Sequence, residues 1–375
     1  DSAAPNNSST FVEESLEIIK LQMGAAESTT EDGNEIVNDL VFDKPPYTGP
    51  RCDIIVIASK SGDDSLTELR WLPEKAHIVG TNLTIEDFDK DGIDLSHANV
   101  VLNAQGNASS LAPIIARMPK LEWVHSMTAG IDHILFPEFV NDEKIVMTNA
   151  KGIFSSSLAE YVMGACSYFA KDFPRLMKQK NERNWCRYCV SELRDCTMGI
   201  VGYGDIGKAC AKLAKAYGMR VLATRKRPEL CAEDPFLDGV WGSDGVCEVL
   251  AQSDYIVCAA ALTPETRGMV GEAQFQSIKK GGVFINIGRG PLVDEDALLK
   301  ALKTGDRLRG AALDVFCTEP LPVDSPLWDA PNLLLSPHNA DMTVDFRHRS
   351  CRFFTDNCKR HLEKLPLECI VNKTA

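Results

Sequence analysis

Met198-Gly199-Ile200-Val201-Gly202-Tyr203-Gly204-Asp205-Ile206-Gly207 reads as a short apolar strand running into G-x-G-x-x-G. Gly202 permits a tight turn, and Gly204 lets the backbone approach a pyrophosphate. Gly207 lets the next helix, predicted over Lys208 to Tyr217, pack against the sheet with its positive end toward the phosphates. Asp205 and Ile206 belong to the same cradle. A glycine turn alone is a weak signal. Here an apolar strand precedes it, an alanine-rich helix follows, and a second strand is predicted over Arg220 to Thr224, which together describe a dinucleotide-binding βαβ unit.

The surrounding chain has 375 residues, room for two domains, and 44% apolar residues, as expected of a globular protein. A net charge of -13 argues against an extended phosphate-binding surface, so nucleic acid is not an expected partner. Thirteen cysteines lie without a regular framework, many inside apolar segments (Cys166, Cys210, Cys258), which fits a reducing intracellular compartment. Cys186-x-x-Cys189 has no second Cys or His pair at ligand spacing, and no metal is expected. No apolar run approaches the roughly twenty residues that span a bilayer, so no membrane partner is expected. Residues 1–50 are rich in Ser, Asn, Thr, Asp and Glu. They are read as an acidic extension outside the fold, the remnant of a processed presequence in a soluble cytoplasmic or organellar protein.

From Cys52 onward strand and helix alternate: Ile54 to Ala58, helix Leu66 to Leu72, then strands near His77 to Val79, Val100 to Asn103, Leu121 to Ser126 and Ile145 to Thr148. Such alternation implies a parallel sheet with crossover helices. Ser155-Ser156-Ser157 offers N-cap hydroxyls to one long helix predicted from Leu158 to about Asn181. Six further strands follow, at Gly199 to Gly202, Arg220 to Thr224, Tyr255 to Ala259, Val283 to Ile287, Gly310 to Val315 and Leu333 to Leu335. A last helix, Thr343 to Glu363, is expected to return to the first domain. The fold class is therefore α/β with two Rossmann-like domains. A doubly wound parallel-sheet nucleotide-binding domain (158–336) is inserted in a discontinuous flavodoxin-like substrate domain (51–157 and 337–375), with an active site expected between them.

Strand Val221-Leu222-Ala223 ends in Thr224-Arg225-Lys226-Arg227, with no carboxylate for a ribose 2′-hydroxyl and three cations where a 2′-phosphate would lie. NADP(H) is thus preferred over NAD(H), the alternative. Past the last strands stand Arg289, Glu319 and His338. Taken singly, each has an ordinary structural explanation. Taken together they suit hydride transfer to a 2-keto acid: a fixed cation for carboxylate and carbonyl, an imidazole proton donor, and a carboxylate that favours the protonated imidazole.

The chain from about Cys52 resembles the D-isomer-specific 2-hydroxyacid dehydrogenase family, which includes glyoxylate/hydroxypyruvate reductases. The resemblance rests on Thr128-Ala129-Gly130-Ile131-Asp132-His133, Ala159-Glu160, the glycine fingerprint, Leu262-Thr263-Pro264-Glu265-Thr266, Gly281 through Gly290, Asp314-Val315-Phe316 with Glu319-Pro320, and Pro337-His338. It implies reversible reduction of a small 2-keto acid to the D-2-hydroxy acid. By it, Arg289 binds carbonyl and carboxylate, His338 is the acid/base, Glu319 is its partner, and the amides of Ala129 and Gly130 hold the substrate carboxylate. Leu262, Thr263, Pro264, Thr266, Ile287 and Gly288 join the cofactor site, Asp314 meets the nicotinamide carboxamide, and Ser155 approaches the cofactor from the other domain. A homodimer through the nucleotide domain is also implied. Corepressors of the same fold that sense the dinucleotide are the alternative function. Asn339-Ala340-Asp341 departs from the small apolar residue, glycine and small residue that commonly follow the histidine.

Overall fold

The structure, a computed structural model, describes residues 51–60 and 64–373. The acidic extension expected at 1–50 lies outside them. The described residues divide into two compact units. One runs up to Met127 and continues with Ile131–Asn149 and the chain from Ser350; the other holds Thr128–Gly130 and Ala150–Arg349. The partition falls at 149/150 and 349/350, where the sequence suggested 157/158 and 336/337.

The first unit is a five-stranded sheet of β1 (Cys52–Ile57), β2 (Ala76–Asn82), β3 (Val100–Asn103), β4 (Trp123–Ser126) and β5 (Val146–Asn149). Their order is β2-β1-β3-β4-β5 and every pairing is parallel, the flavodoxin-like arrangement. Every residue of β1 is buried because a parallel sheet is covered on both faces, and its side chains alternate between two cores. Ile55 and Ile57 pack with Phe88, Leu111 and Ile114, whereas Ile54 and Val56 pack with Leu66, Phe354 and Cys358. Capping fixes the short helices. The Thr84 hydroxyl accepts from the Asp87 amide at the start of Ile85–Lys90, and Asn107 and Ser110 form a capping box at Ala108–Ile115. The helix expected at Leu66 to Leu72 is a 3₁₀ helix, Asp64–Trp71.

The second unit holds β6 (Thr197–Val201), β7 (Arg220–Thr224), β8 (Gly239–Trp241), β9 (Tyr255–Cys258), β10 (Gly282–Asn286), β11 (Leu308–Leu313) and β12 (Leu333–Leu335). The order β12-β11-β10-β9-β6-β7-β8 is that of a doubly wound dinucleotide fold. β8 is a seventh strand that the sequence reading missed. It has three half-buried residues on the sheet edge, too few to show a period.

The long helix expected from Leu158 to Asn181 is two helices, Ser155–Ala170 and Phe173–Asn181. Pro174 explains the break: its ring would collide with the carbonyl four residues earlier, and Asp172 turns left-handed (φ 53°) to start the second helix. The serines do not cap. Helix Ser155–Ala170 begins at Ser155 itself and has no side-chain cap. Ser155, expected to come from the other domain, belongs to the second unit.

On β4 of the first unit His125 is fully buried against Phe353 and Phe354. Its Nδ1 lies 2.7 Å from Thr148 Oγ1, which also accepts from Trp123 Nε1, and among the described residues Nε2 has no partner. Burial pushes its pKa down to about 3 from an ordinary 6.5. The folded chain therefore holds the ring neutral, while the unfolded chain takes up a proton below pH 6.5. The stabilisation is complete above that pH and is lost as pH falls toward 3. By pH 5 the loss is about 2 kcal/mol. His125→Leu is expected to remove this part of the pH dependence between pH 7 and 5, read as the shift of the urea midpoint with pH.

Candidate active site

Three loops at the carboxyl ends of β10, β11 and β12 carry Arg289, Glu319 and His338, all within the second unit. Asn286 ends β10 and shapes the first loop: its Oδ1 accepts from the Gly288 amide at 3.1 Å and its Nδ2 donates to the Arg289 carbonyl at 3.1 Å. Arg289 is half-buried, and its Nη1 donates to the Gly288 carbonyl at 2.8 Å. Two glycines place this arginine. A methyl group on Gly130 would overlap Nη2 of Arg289, so the Thr128–Gly130 segment lies directly against the guanidinium. A methyl group on Gly290 would overlap the backbone of Phe316 and Cys317, so the arginine loop and the glutamate loop meet main chain to main chain.

Glu319 faces two ways. One oxygen accepts from the Phe316 amide at 2.8 Å, and the other lies 2.7 Å from His338 Nδ1. With Nδ1 directed at the carboxylate, Nε2 is the atom left for chemistry. His338 sits at φ 53°, a left-handed conformation that a non-glycine residue holds only when its surroundings enforce it. Buried Asp314 supplies the enforcement. Its carboxylate accepts from the Asn339 amide at 3.1 Å and the Ala340 amide at 3.2 Å, and lies 2.7 Å from Ser336 Oγ, so it grips the chain on both sides of the histidine. Ser157 Oγ donates to the Ala340 carbonyl at 2.6 Å, and Tyr161 Oη lies 2.8 Å from Ser336 Oγ. The sequence offered no sign of the parts played by Ser157, Tyr161 and Ser336, because serine and tyrosine on a helix face or strand end have no spacing of their own.

At the amino-terminal half of the same sheet Gly202 adopts φ 96°, and a Cβ there would stand 2.5 Å from the backbone of Ala260. A Cβ on Gly207 would stand 2.7 Å from the Gly202 carbonyl, whereas one on Gly204 would meet nothing within 4 Å. Turn, helix packing and open approach thus fall to the three glycines in the pattern that a pyrophosphate needs. Helix Asp205–Ala216 starts directly after Gly204, aiming the free amides of its first turn, Asp205 and Ile206 among them, at that open side. Asp205 pairs with Lys151 at 3.2 Å. Thr224 is buried with its hydroxyl 3.4 Å from the Gly202 amide, so it supports the loop from beneath. Beyond it Arg225 is half-buried, and Lys226 and Arg227 are exposed.

In the Leu262–Thr266 turn the Thr266 hydroxyl receives the Thr263 amide at 2.8 Å and donates to the Ala261 carbonyl at 2.7 Å, closing the turn around Pro264. Glu265 holds its carboxyl below the usual range through the Thr263 hydroxyl, with Lys226 adding to the effect. Ile287 is buried, and Gly288 packs against Leu292 and the Ala260 carbonyl. Ser155 Oγ is buried without a hydrogen-bond partner among the described residues, a polar atom that a ligand would satisfy. These features fit a nicotinamide dinucleotide. Among the described residues no three His, Cys, Asp or Glu side chains gather as a metal site, and no helix is long and apolar enough to cross a membrane.

The D-isomer specific 2-hydroxyacid dehydrogenase NAD-binding domain matches residues 163–340. Glyoxylate/hydroxypyruvate reductase B of Klebsiella pneumoniae is 31% identical over 271 residues, 70% of this chain and 82% of that protein. D-3-phosphoglycerate dehydrogenase of Methanocaldococcus jannaschii is 31% identical over 78% of this chain, which spans 55% of that longer protein. Among solved structures, an NADPH-dependent glyoxylate/hydroxypyruvate reductase from Sinorhizobium meliloti, in complex with NADP and sulfate, superimposes with a TM-score of 0.73 at 26% identity, covering 87% of this chain and 99% of that one. The chain belongs to the D-isomer-specific 2-hydroxyacid dehydrogenase family.

Gly290→Ala drives a methyl group into main chain that no rotamer change can relieve. It is expected to lower the melting temperature by about 4 °C or more, the equivalent of about 1–3 kcal/mol in a domain of this size. Gly204→Ala adds its methyl to open space and is expected to leave the melting temperature within about 1 °C while weakening dinucleotide binding; thermal melts with and without the dinucleotide compare the two.

Proposed function

We propose that this chain reduces a small 2-keto acid, such as glyoxylate or hydroxypyruvate, to the D-2-hydroxy acid, reversibly and with NADPH as the preferred reductant. The observation that carries this reading is the 2.7 Å contact of His338 Nδ1 with Glu319 on the loop packed against that of Arg289. A dinucleotide held there would supply hydride to the carbonyl carbon. Arg289 binds the substrate carboxylate and carbonyl oxygen, with the Ala129 and Gly130 amides beside it. His338 Nε2 gives the proton that the carbonyl oxygen needs as it becomes a hydroxyl. Glu319 holds the imidazole in the orientation that directs Nε2 at substrate. Under this reading Asp314 would meet the nicotinamide carboxamide, residues 51–157 with 337–375 would take substrate, and 158–336 would take the dinucleotide.

The reductase names of the relatives support the reaction class. The cations Arg225 and Arg227, with no carboxylate at the end of β7, support a ribose 2′-phosphate. Thirteen cysteines, all unpaired, support a reducing compartment. Purified protein is expected to oxidise NADPH with glyoxylate or hydroxypyruvate in preference to NADH. His338→Ala is expected to lose about 10²–10⁴-fold in kcat. Arg225→Ala with Arg227→Ala is expected to raise the KM for NADPH about tenfold or more while sparing NADH. Dinucleotide binding without turnover of any 2-keto acid would overturn the proposal in favour of a binding protein.

Homodimerisation through the nucleotide domain finds support in helix Phe173–Asn181, which buries none of its residues and leaves Leu176 and Met177 about half exposed, followed by Trp185 at 96% exposure. Trp185→Asp combined with Met177→Asp is expected to convert a dimer into a monomer in light scattering.

A further inference from the structure

We infer that Tyr161 and Ser157, one turn apart on helix Ser155–Ala170, are positioning residues for His338: their hydroxyls hold the chain two residues before and two residues after the histidine, and with it the imidazole that gives the proton. The role presupposes the reductase reading and adds to it two residues that it leaves idle.

Positions 157 and 161 share one face of the helix. Ser157 Oγ donates to the Ala340 carbonyl at 2.6 Å, and Tyr161 Oη lies 2.8 Å from Ser336 Oγ. The direction of the second bond follows from what lies beyond it. Ser336 Oγ is 2.7 Å from Oδ1 of Asp314, a buried carboxylate that can only accept, and the Leu313 carbonyl at 3.4 Å is the weaker acceptor. The serine proton therefore goes to Asp314, and Tyr161 donates to Ser336. Burial pushes the Tyr161 hydroxyl up to about 12 from an ordinary 10.0, so it keeps the proton it donates throughout the neutral range.

These bonds converge on the histidine. Asp314 accepts from the Asn339 and Ala340 amides, and the His338 amide donates to the Ser336 carbonyl at 3.1 Å. The segment from Ser336 to Ala340 is thus tied to the helix at each end, with a left-handed residue between the ties. The helix is a firm rest, because Leu158, Ala159, Val162 and Cys166 are buried in one core with Ile200 of β6 and Ile285 of β10. A support of this kind acts in kcat: displacing a proton donor by about 1 Å costs up to about 10²-fold, while the contacts that bind substrate remain.

The test measures kcat and KM for hydroxypyruvate, with NADPH and with NADH, in the full chain, each kcat taken per dinucleotide site titrated by fluorescence. Tyr161→Phe, Ser157→Ala and Ser336→Ala are each expected to lower kcat about tenfold or more, with KM for hydroxypyruvate and the number of titrated sites within about twofold of wild type. Tyr161→Phe combined with Ser336→Ala is expected to cost no more than Ser336→Ala alone, because Tyr161 works through that hydroxyl. Wild-type kcat in either Tyr161→Phe or Ser157→Ala would overturn the inference and leave the reductase reading standing, and so would losses in the Tyr161 and Ser336 pair that multiply. Loss of titrated sites in place of kcat would show support of the fold alone and overturn it as well. Wild-type protein that reduces no 2-keto acid with either dinucleotide would overturn both.

Discussion

The buried carboxylate of Asp314 is the constraint on which the loops of the candidate site depend. A charged group out of water is costly unless hydrogen bonds surround it, and here the donors are the Asn339 and Ala340 amides, with the Ser336 hydroxyl alongside. The same bonds that satisfy the charge hold His338 in a left-handed conformation that costs of order 1 kcal/mol or more in isolation. Position of the imidazole and burial of the carboxylate are therefore one problem with one solution. Glu319 repeats the device on a smaller scale, with one oxygen on the Phe316 amide of its own loop and the other on His338.

How far this was legible in the sequence depended on whether a feature was carried by spacing or by a contact between distant segments. The glycine fingerprint has a fixed local geometry, and each of its three glycines could be assigned a separate part from order alone. Parallel strands such as β1 and β9 announced themselves as continuous apolar runs. Arg289, Glu319 and His338 were found because each ends a recognisable strand. By contrast, the need for glycine at 290 comes from the Phe316 main chain in another loop, which no local spacing shows. Ser157 looked like a helix cap, yet its hydroxyl donates to Ala340, far away in sequence.

The misreadings have equally local causes. Pro174 lies inside the stretch expected to be one helix, and a proline in a helix interior divides it. β8 is an edge strand of three residues, below the length at which alternation can be seen. Thr224 stands directly before three cations, and in the fold it is buried with its hydroxyl toward Gly202 while Lys226 and Arg227 are exposed.

The segment after His338 is held by atoms that every residue type possesses. At Ala340 the amide and the carbonyl are engaged, and at Asp341 the carbonyl, without recourse to either side chain. The frame of the loop is thus indifferent to the side chain that stands at position 341. A position of this kind can change by a single codon without the loop around His338 having to find a new fold.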